Sequence, residues 1–251
     1  MSSSISNFKY SNTNTVNQRL ELSLLLQKIE DGRERGFCNW LICNKIMIGQ
    51  YPGQTPELSG PTLDYVQKHI HSLIYEANIG LFCSLQSEVP HQRDYNEWEK
   101  KGGKIYLPLE EGGKFPHFFG HYAPIVQSRL EHKYGVNSDE EIQFLHAPIL
   151  DLSTPSSTSL YQLLFTLLDF MEHQSNNAMC IHCWGGRGRA GLVGACLLSL
   201  IYPELDANQC LKWVQKGYDS RVGAKRMPVG LRKSPQTYGQ IEFVKGFVHG
   251  S

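Results

Sequence analysis

Short continuous apolar runs alternate along the chain with longer amphipathic stretches, and the alternation predicts strands and helices in turn. Residues 37–42 and 45–49 are two apolar segments split by the polar pair Cys43 and Asn44, the pattern of a β-hairpin. A helix with proline in its first turn is predicted over 61–71. Residues 79–85 form an uninterrupted apolar run, hence a buried strand. A short helix over 94–101 stops at Gly102 and Gly103, and 104–109 is a further strand candidate. Ile125, Val126 and Leu130 mark another helix, and 141–151 a strand that runs into a loop. Leu160, Leu163, Leu164, Leu167, Leu168 and Met171 recur at helical spacing. A buried strand at 178–181 follows, then helices over 192–202 and 206–218 and a last one through Ile241, Phe243, Val244 and Phe247. Strands alternating with helices predict an α/β fold, a central mostly parallel sheet flanked by helices.

Outside that frame, residues 1–16 are rich in Ser, Asn and Thr and are expected to be a mobile tail. Residues 17–36 carry a leucine-rich helical extension, so the domain proper is expected over 37–248. The stretch around 110–138 has a Gly-Gly-Lys loop and several aromatic residues, and is expected to be an insertion that shapes the active-site cleft.

Composition narrows the function. Across 251 residues the formal net charge is zero, which gives no pointer to nucleic acid or a membrane surface. No apolar run reaches transmembrane length, and the N-terminus lacks a signal-peptide core. The seven cysteines are odd in number and sit mostly inside apolar runs, which suggests a reducing compartment, cytoplasmic or nuclear. No zinc-type spacing is present, so neither a metal nor another cofactor is expected.

The chemistry concentrates at His182-Cys183-Trp184-Gly185-Gly186-Arg187-Gly188-Arg189-Ala190-Gly191. A strand delivers Cys183 to a glycine-rich loop, and Arg189 opens the helix behind it. Glycines let the backbone turn its N–H groups inward at a helix N-terminus, which makes an anion site. Arg189 can add a two-pronged contact to a tetrahedral anion. The same positive field favours the thiolate of Cys183. A sulfur nucleophile inside a phosphate-sized cradle is suited to phosphoryl transfer through a cysteinyl-phosphate.

His-Cys, five residues, then Arg resembles the signature of the cysteine-dependent protein tyrosine phosphatases. The glycine placement is most similar to the dual-specificity branch, and within it to cyclin-dependent-kinase-associated phosphatases. The resemblance implies a dual-specificity phosphatase-like fold and assigns Cys183, Arg189 and Asp151 as catalytic. Trp184, Gly185, Gly186, Arg187, Gly188 and Arg189 would bind the substrate phosphate. Asp151 lies in Pro-Ile-Leu-Asp ahead of a proline-led helix, as in the family's general-acid loop, with Asp139 a second candidate. His182 would orient the loop, and Gln236 or Gln240 would orient the hydrolytic water. Cys83 would be either a structural cysteine or an oxidative partner of the nucleophile. A phosphorylated protein or another phosphomonoester is the implied partner, with phosphoinositides and inositol phosphates open because Arg187 adds charge at the rim. One position departs: the family has Ser or Thr after the arginine, and here it is Ala190, which cannot donate a hydrogen bond to the sulfur. That leaves a slow phosphatase and a phosphate-binding pseudophosphatase both open, with a rhodanese-like sulfurtransferase as a third class.

Overall fold

The computed structural model describes residues 38–107, 117–135, 141–174, 176–221, 223–224 and 227–250. The tail and helical extension expected before residue 37, and Asp139, lie outside them.

A five-stranded sheet carries the fold, with strand order β1-β2-β7-β3-β6. The strands are β1 (Cys38–Ile42), β2 (Ile46–Gly49), β3 (Ile79–Gln86), β6 (Gln143–Ile149) and β7 (Ala178–His182). The predicted hairpin forms as antiparallel β1 and β2, and every other pairing is parallel. β3 is buried along its whole length because it lies between β7 and β6 with both faces covered, which is why its sequence is a continuous apolar run.

One face carries α4 (Ser157–His173), α5 (Arg189–Ile201), α6 (Ala207–Ser220) and α7 (Tyr238–Gly250). The leucine stripe of α4 faces the sheet, while α5 is apolar almost all round because it is enclosed by the sheet and by α6 and α7. Asp206 and Gln209 form a capping box that starts α6. The other face carries α1 (Leu63–Tyr75) and α3 (Ala123–Tyr134), whose Val66, Ile70, Val126 and Leu130 pack over Trp40, Met47, Phe82 and Cys180.

The strand expected over 104–109 is shorter and stands apart from the main sheet. As β4 (Lys104–Tyr106) it pairs antiparallel with β5 (Phe118–Gly120), just after the short helix α2 (Tyr95–Lys100). The described part of the expected insertion, residues 117–135, enters the core: Phe119 and Tyr122 are fully buried. Both pack edge-on against Tyr51, with ring centroids 5.2 Å apart in each pair.

Parallel strands end together. β7 leads to Cys183, β3 to Glu88, β6 to Asp151 and β2 to Gly49, so four loops distant in sequence meet at one edge.

Candidate active site

The loop after β7 is held from outside by its carbonyl groups. Tyr51 N–H donates to the Trp184 carbonyl at 3.1 Å, Arg221 Nη2 to that of Gly186 at 3.0 Å, and Ser234 Oγ to that of Arg187 at 2.9 Å. In a trans peptide the next N–H points the opposite way. The amides of Gly185, Arg187 and Gly188 therefore face away from these anchors, toward the loop's own centre. Gly186 is obligatory: its φ is 65°, and a Cβ there would meet the carbonyl carbon of Gly49 at 2.2 Å. Gly188 caps α5, whose N-terminal dipole adds to the positive field. Inward amides, a helix N-terminus and the buried Cys183 make a site for a tetrahedral anion beside a thiol.

Arg189 is 1% exposed and fully engaged on one side. Its Nη1 donates to Glu88 Oε2 at 2.7 Å and to the Ile149 carbonyl at 3.0 Å, and its Nη2 to Glu88 Oε1 at 2.8 Å. Asp151 Oδ1 lies 3.0 Å from the same Nη2, on a side chain that is half exposed. Burial works against the guanidinium charge, but hydrogen bonds to Glu88 and the nearby Cys183 and Asp151 outweigh it, and the net shift favours the cation. Glu88 thus fixes the arginine's orientation, a role its sequence position did not reveal.

His182 points to the opposite sheet face from Cys183, as strand alternation requires. It is fully buried, and its Nε2 lies 2.8 Å from the Tyr122 hydroxyl. Burial, helped by His146 and Arg189, lowers its pKa to about 3, so the ring is neutral. Burial alone holds His69 of α1 down to about 4. A buried neutral histidine stabilises the fold fully above its unfolded pKa and loses that contribution as pH falls toward the folded value. Stability is therefore expected to drop from about pH 6.5 downward, by up to about 1.4 kcal/mol per pH unit for each of the two. Urea midpoints followed between about pH 7 and pH 5 check this, and a flat midpoint would contradict it.

The remaining sequence candidates fall into place around the loop. Arg187 donates from Nη1 to the Leu231 carbonyl. Trp184 donates from its indole to Glu57. Gln236 packs on the loop, its Cβ and Oε1 each 3.3 Å from where a Gly188 side chain would begin. Gln240 is buried and occupied: its Oε1 accepts from the Gln236 and Thr237 amides, and its Nε2 donates to the Ser153 carbonyl in the Asp151 loop. Cys83 pairs in register with Ile181, two residues before Cys183, and burial pushes its thiol well up, with Cys180 adding to the shift. Arg221 reads in the sequence as one cation of a basic loop, yet it is buried and binds Asn39 Oδ1 at 2.8 Å and the Ile48 carbonyl at 2.8 Å as well as Gly186. Among the described residues no cluster of three His, Cys, Asp or Glu is placed to hold a metal. No described helix is long and apolar enough to cross a membrane.

Residues 126–236 match the family model described as Swiss Army Knife protein, DSP-PTPase phosphatase domain. Over that stretch the chain is similar to the dual-specificity branch of the cysteine-dependent protein tyrosine phosphatases. Cyclin-dependent kinase inhibitor 3 of Rattus norvegicus is 35% identical over 66 residues, 26% of this chain and 30% of that protein. Its counterpart in Sus scrofa is 33% identical over 82 residues, 33% of this chain and 35% of that protein. The aligned stretch thus spans about a third of the length of the curated relatives it matches. The crystal structure of a kinase associated phosphatase, with its catalytic-site cysteine replaced by serine, superposes with a TM-score of 0.52 at 18% identity, covering 82% of this chain and 86% of that one. That likeness confirms the fold.

Proposed function

We propose that this chain is a phosphomonoester hydrolase that works through a cysteinyl-phosphate and acts on phosphorylated protein. The observation that carries the reading is the convergence at one sheet edge of Cys183, the Glu88-clamped Arg189 and Asp151. In the first step the Cys183 thiolate attacks phosphorus. The S–P bond forms, the P–O bond to the leaving group breaks, and Asp151 gives its proton to that oxygen. The inward amides and Arg189 hold the equatorial oxygens as charge develops. In the second step water attacks phosphorus, Asp151 accepts its proton, and inorganic phosphate and the thiolate are released. Both glutamines approach Gly188, and Gln236 is the better placed to orient that water because Gln240 is committed to the Gln236 and Thr237 amides and to Ser153. Free cysteines throughout fit a reducing cytoplasmic or nuclear setting.

Arg187 is drawn onto a backbone carbonyl, which supports protein substrates over highly charged inositol phosphates. Ala190 favours a second reading, a phosphate-binding protein without turnover: it is fully buried and brings no hydroxyl to the sulfur. Rapid-mixing hydrolysis of an aryl phosphate tests both. A burst of phenol release followed by slow steady turnover is expected, with phosphate trapped on Cys183 as a thiol ester after a denaturant quench. Ala190→Ser is expected to raise the steady rate about tenfold or more, the worth of one hydrogen bond to a charged group. Phosphate binding without burst or turnover would establish the second reading instead.

A further inference from the structure

The described residues leave few large apolar side chains open to solvent, and six of them lie in the segments that border the loop. They are Leu58 (81% exposed), Leu150 (71%), Leu152 (52%), Val229 (83%), Leu231 (59%) and Tyr238 (77%). Each segment reaches the loop or its immediate surround through a contact of its own. Glu57 accepts from the Trp184 indole, and Asp151 pairs with Arg189. The Leu231 carbonyl accepts from Arg187, and Gln236 packs on Gly188. Thr237 Oγ1 lies 3.4 Å from the Leu152 carbonyl, which joins the Asp151 loop to the segment bearing Tyr238. The apolar groups therefore form a collar around an anion site. Exposed apolar groups gathered at one place mark a surface that meets a partner.

Leu152 strengthens this reading. Its φ is 59°, a left-handed conformation that a bulky side chain rarely adopts. Glycine or asparagine would take it with less strain. The contact its segment makes there runs through the carbonyl and not the side chain, and half of the side chain faces solvent. A strained, exposed leucine beside Asp151 is consistent with a side chain that works on something outside the chain.

Resting on the phosphatase reading above, we propose that this collar grips apolar residues on either side of the phosphorylated residue in a protein substrate. A bilayer is the other surface that greets exposed leucines, but the charges in the collar segments disfavour it. Arg187 and Arg232 at the rim spend guanidinium donors on the Leu231 and Met227 carbonyls, so these charges are not held out toward anionic lipid. A phosphopeptide needs only the central anion site and apolar contacts around it, the arrangement of a hydrophobic patch about a polar anchor.

Two phosphopeptides of equal charge, one with leucine and one with serine flanking the phosphorylated residue, test the collar alongside a small aryl phosphate. Wild type is expected to favour the leucine peptide by about tenfold or more in kcat/KM, mainly through KM. The double variant Leu58→Ser/Val229→Ser, which touches none of the catalytic groups, is expected to erase that preference and leave aryl phosphate turnover unchanged. Leu152→Asn is expected to raise Tm while lowering kcat/KM for the leucine peptide, a combination that a purely structural leucine would not give. Equal use of the two peptides by wild type overturns the collar. So does a double variant that loses turnover of phosphoinositide in mixed vesicles and keeps its peptide preference. Failure of wild type to turn over the aryl phosphate sinks the phosphatase reading itself.

Discussion

Cys183→Ser is expected to abolish aryl phosphate turnover, by about four orders of magnitude or more, while phosphopeptide binding survives. A serine hydroxyl is a useful nucleophile only beside a base that takes its proton. The adjacent histidine cannot serve, because His182 lies on the other sheet face against Tyr122. The anion site loses little, since the loop carbonyls remain pinned by Tyr51, Arg221 and Ser234. The variant should fold with a urea midpoint close to that of wild type, show no burst, and bind a phosphopeptide as wild type does. Residual turnover within about tenfold of wild type would exclude the covalent route, because no comparable nucleophile would then be needed.

The second large effect is expected at Glu88. Both of its oxygens accept from Arg189, and both side chains are largely out of solvent, the arginine at 1% and the glutamate at 13% exposure. Glu88→Gln puts an NH2 group against a guanidinium that has only donors to offer. The charge remains buried and half-paired, and breaking such a pair costs about 3–5 kcal/mol. For a domain of this size that corresponds to a fall in Tm of roughly 6–20 °C. Released from its clamp, Arg189 no longer presents a fixed edge to phosphate, and kcat/KM is expected to fall by about a hundredfold or more. Thermal melts and aryl phosphate kinetics on the same preparation check both effects. The neighbouring Asp151–Arg189 contact is different in kind. Asp151 is half exposed, and an ion pair with such a partner contributes little to stability. A variant that lost activity at Glu88 with no loss of stability would show that the clamp does not hold the arginine in the free protein.

What the sequence made legible follows from sequence distance. The loop of 182–191 is contiguous, so spacing alone exposed the sulfur, the glycines and the arginine. β3 and β7 were legible because strands covered on both faces must be apolar throughout. Helix ends shifted by a few residues where capping decided them: the helix expected over 61–71 begins after its cap at Thr62 and runs on to Tyr75. The groups that support the loop were not legible. Glu88 meets Arg189 across 101 positions, Tyr122 meets His182 across 60, and Arg221 meets Asn39 across 182. Hydrophobic periodicity tells which face is buried but not which polar group waits on the other side. Arg221 shows the cost most clearly, because in a run of cations it is indistinguishable from its solvated neighbours until a strand carbonyl and a loop carbonyl are found at its end.

The pairing of β2 with β7 also governs when the site can exist during folding. Gly49 lies opposite His182 in that register, and the turn at Gly186 rests on the same glycine. Pairings between partners so far apart in the chain close late, after local helices and the neighbouring strand have formed. A chain that has assembled α4, β7 and α5 but has not yet docked its N-terminal hairpin carries Cys183 with no cradle around it. Its thiol is then an ordinary cysteine, open to disulfide exchange and to aggregation through exposed strand edges. A long-range contact of this kind is thus what turns a vulnerable sulfur into a selective one.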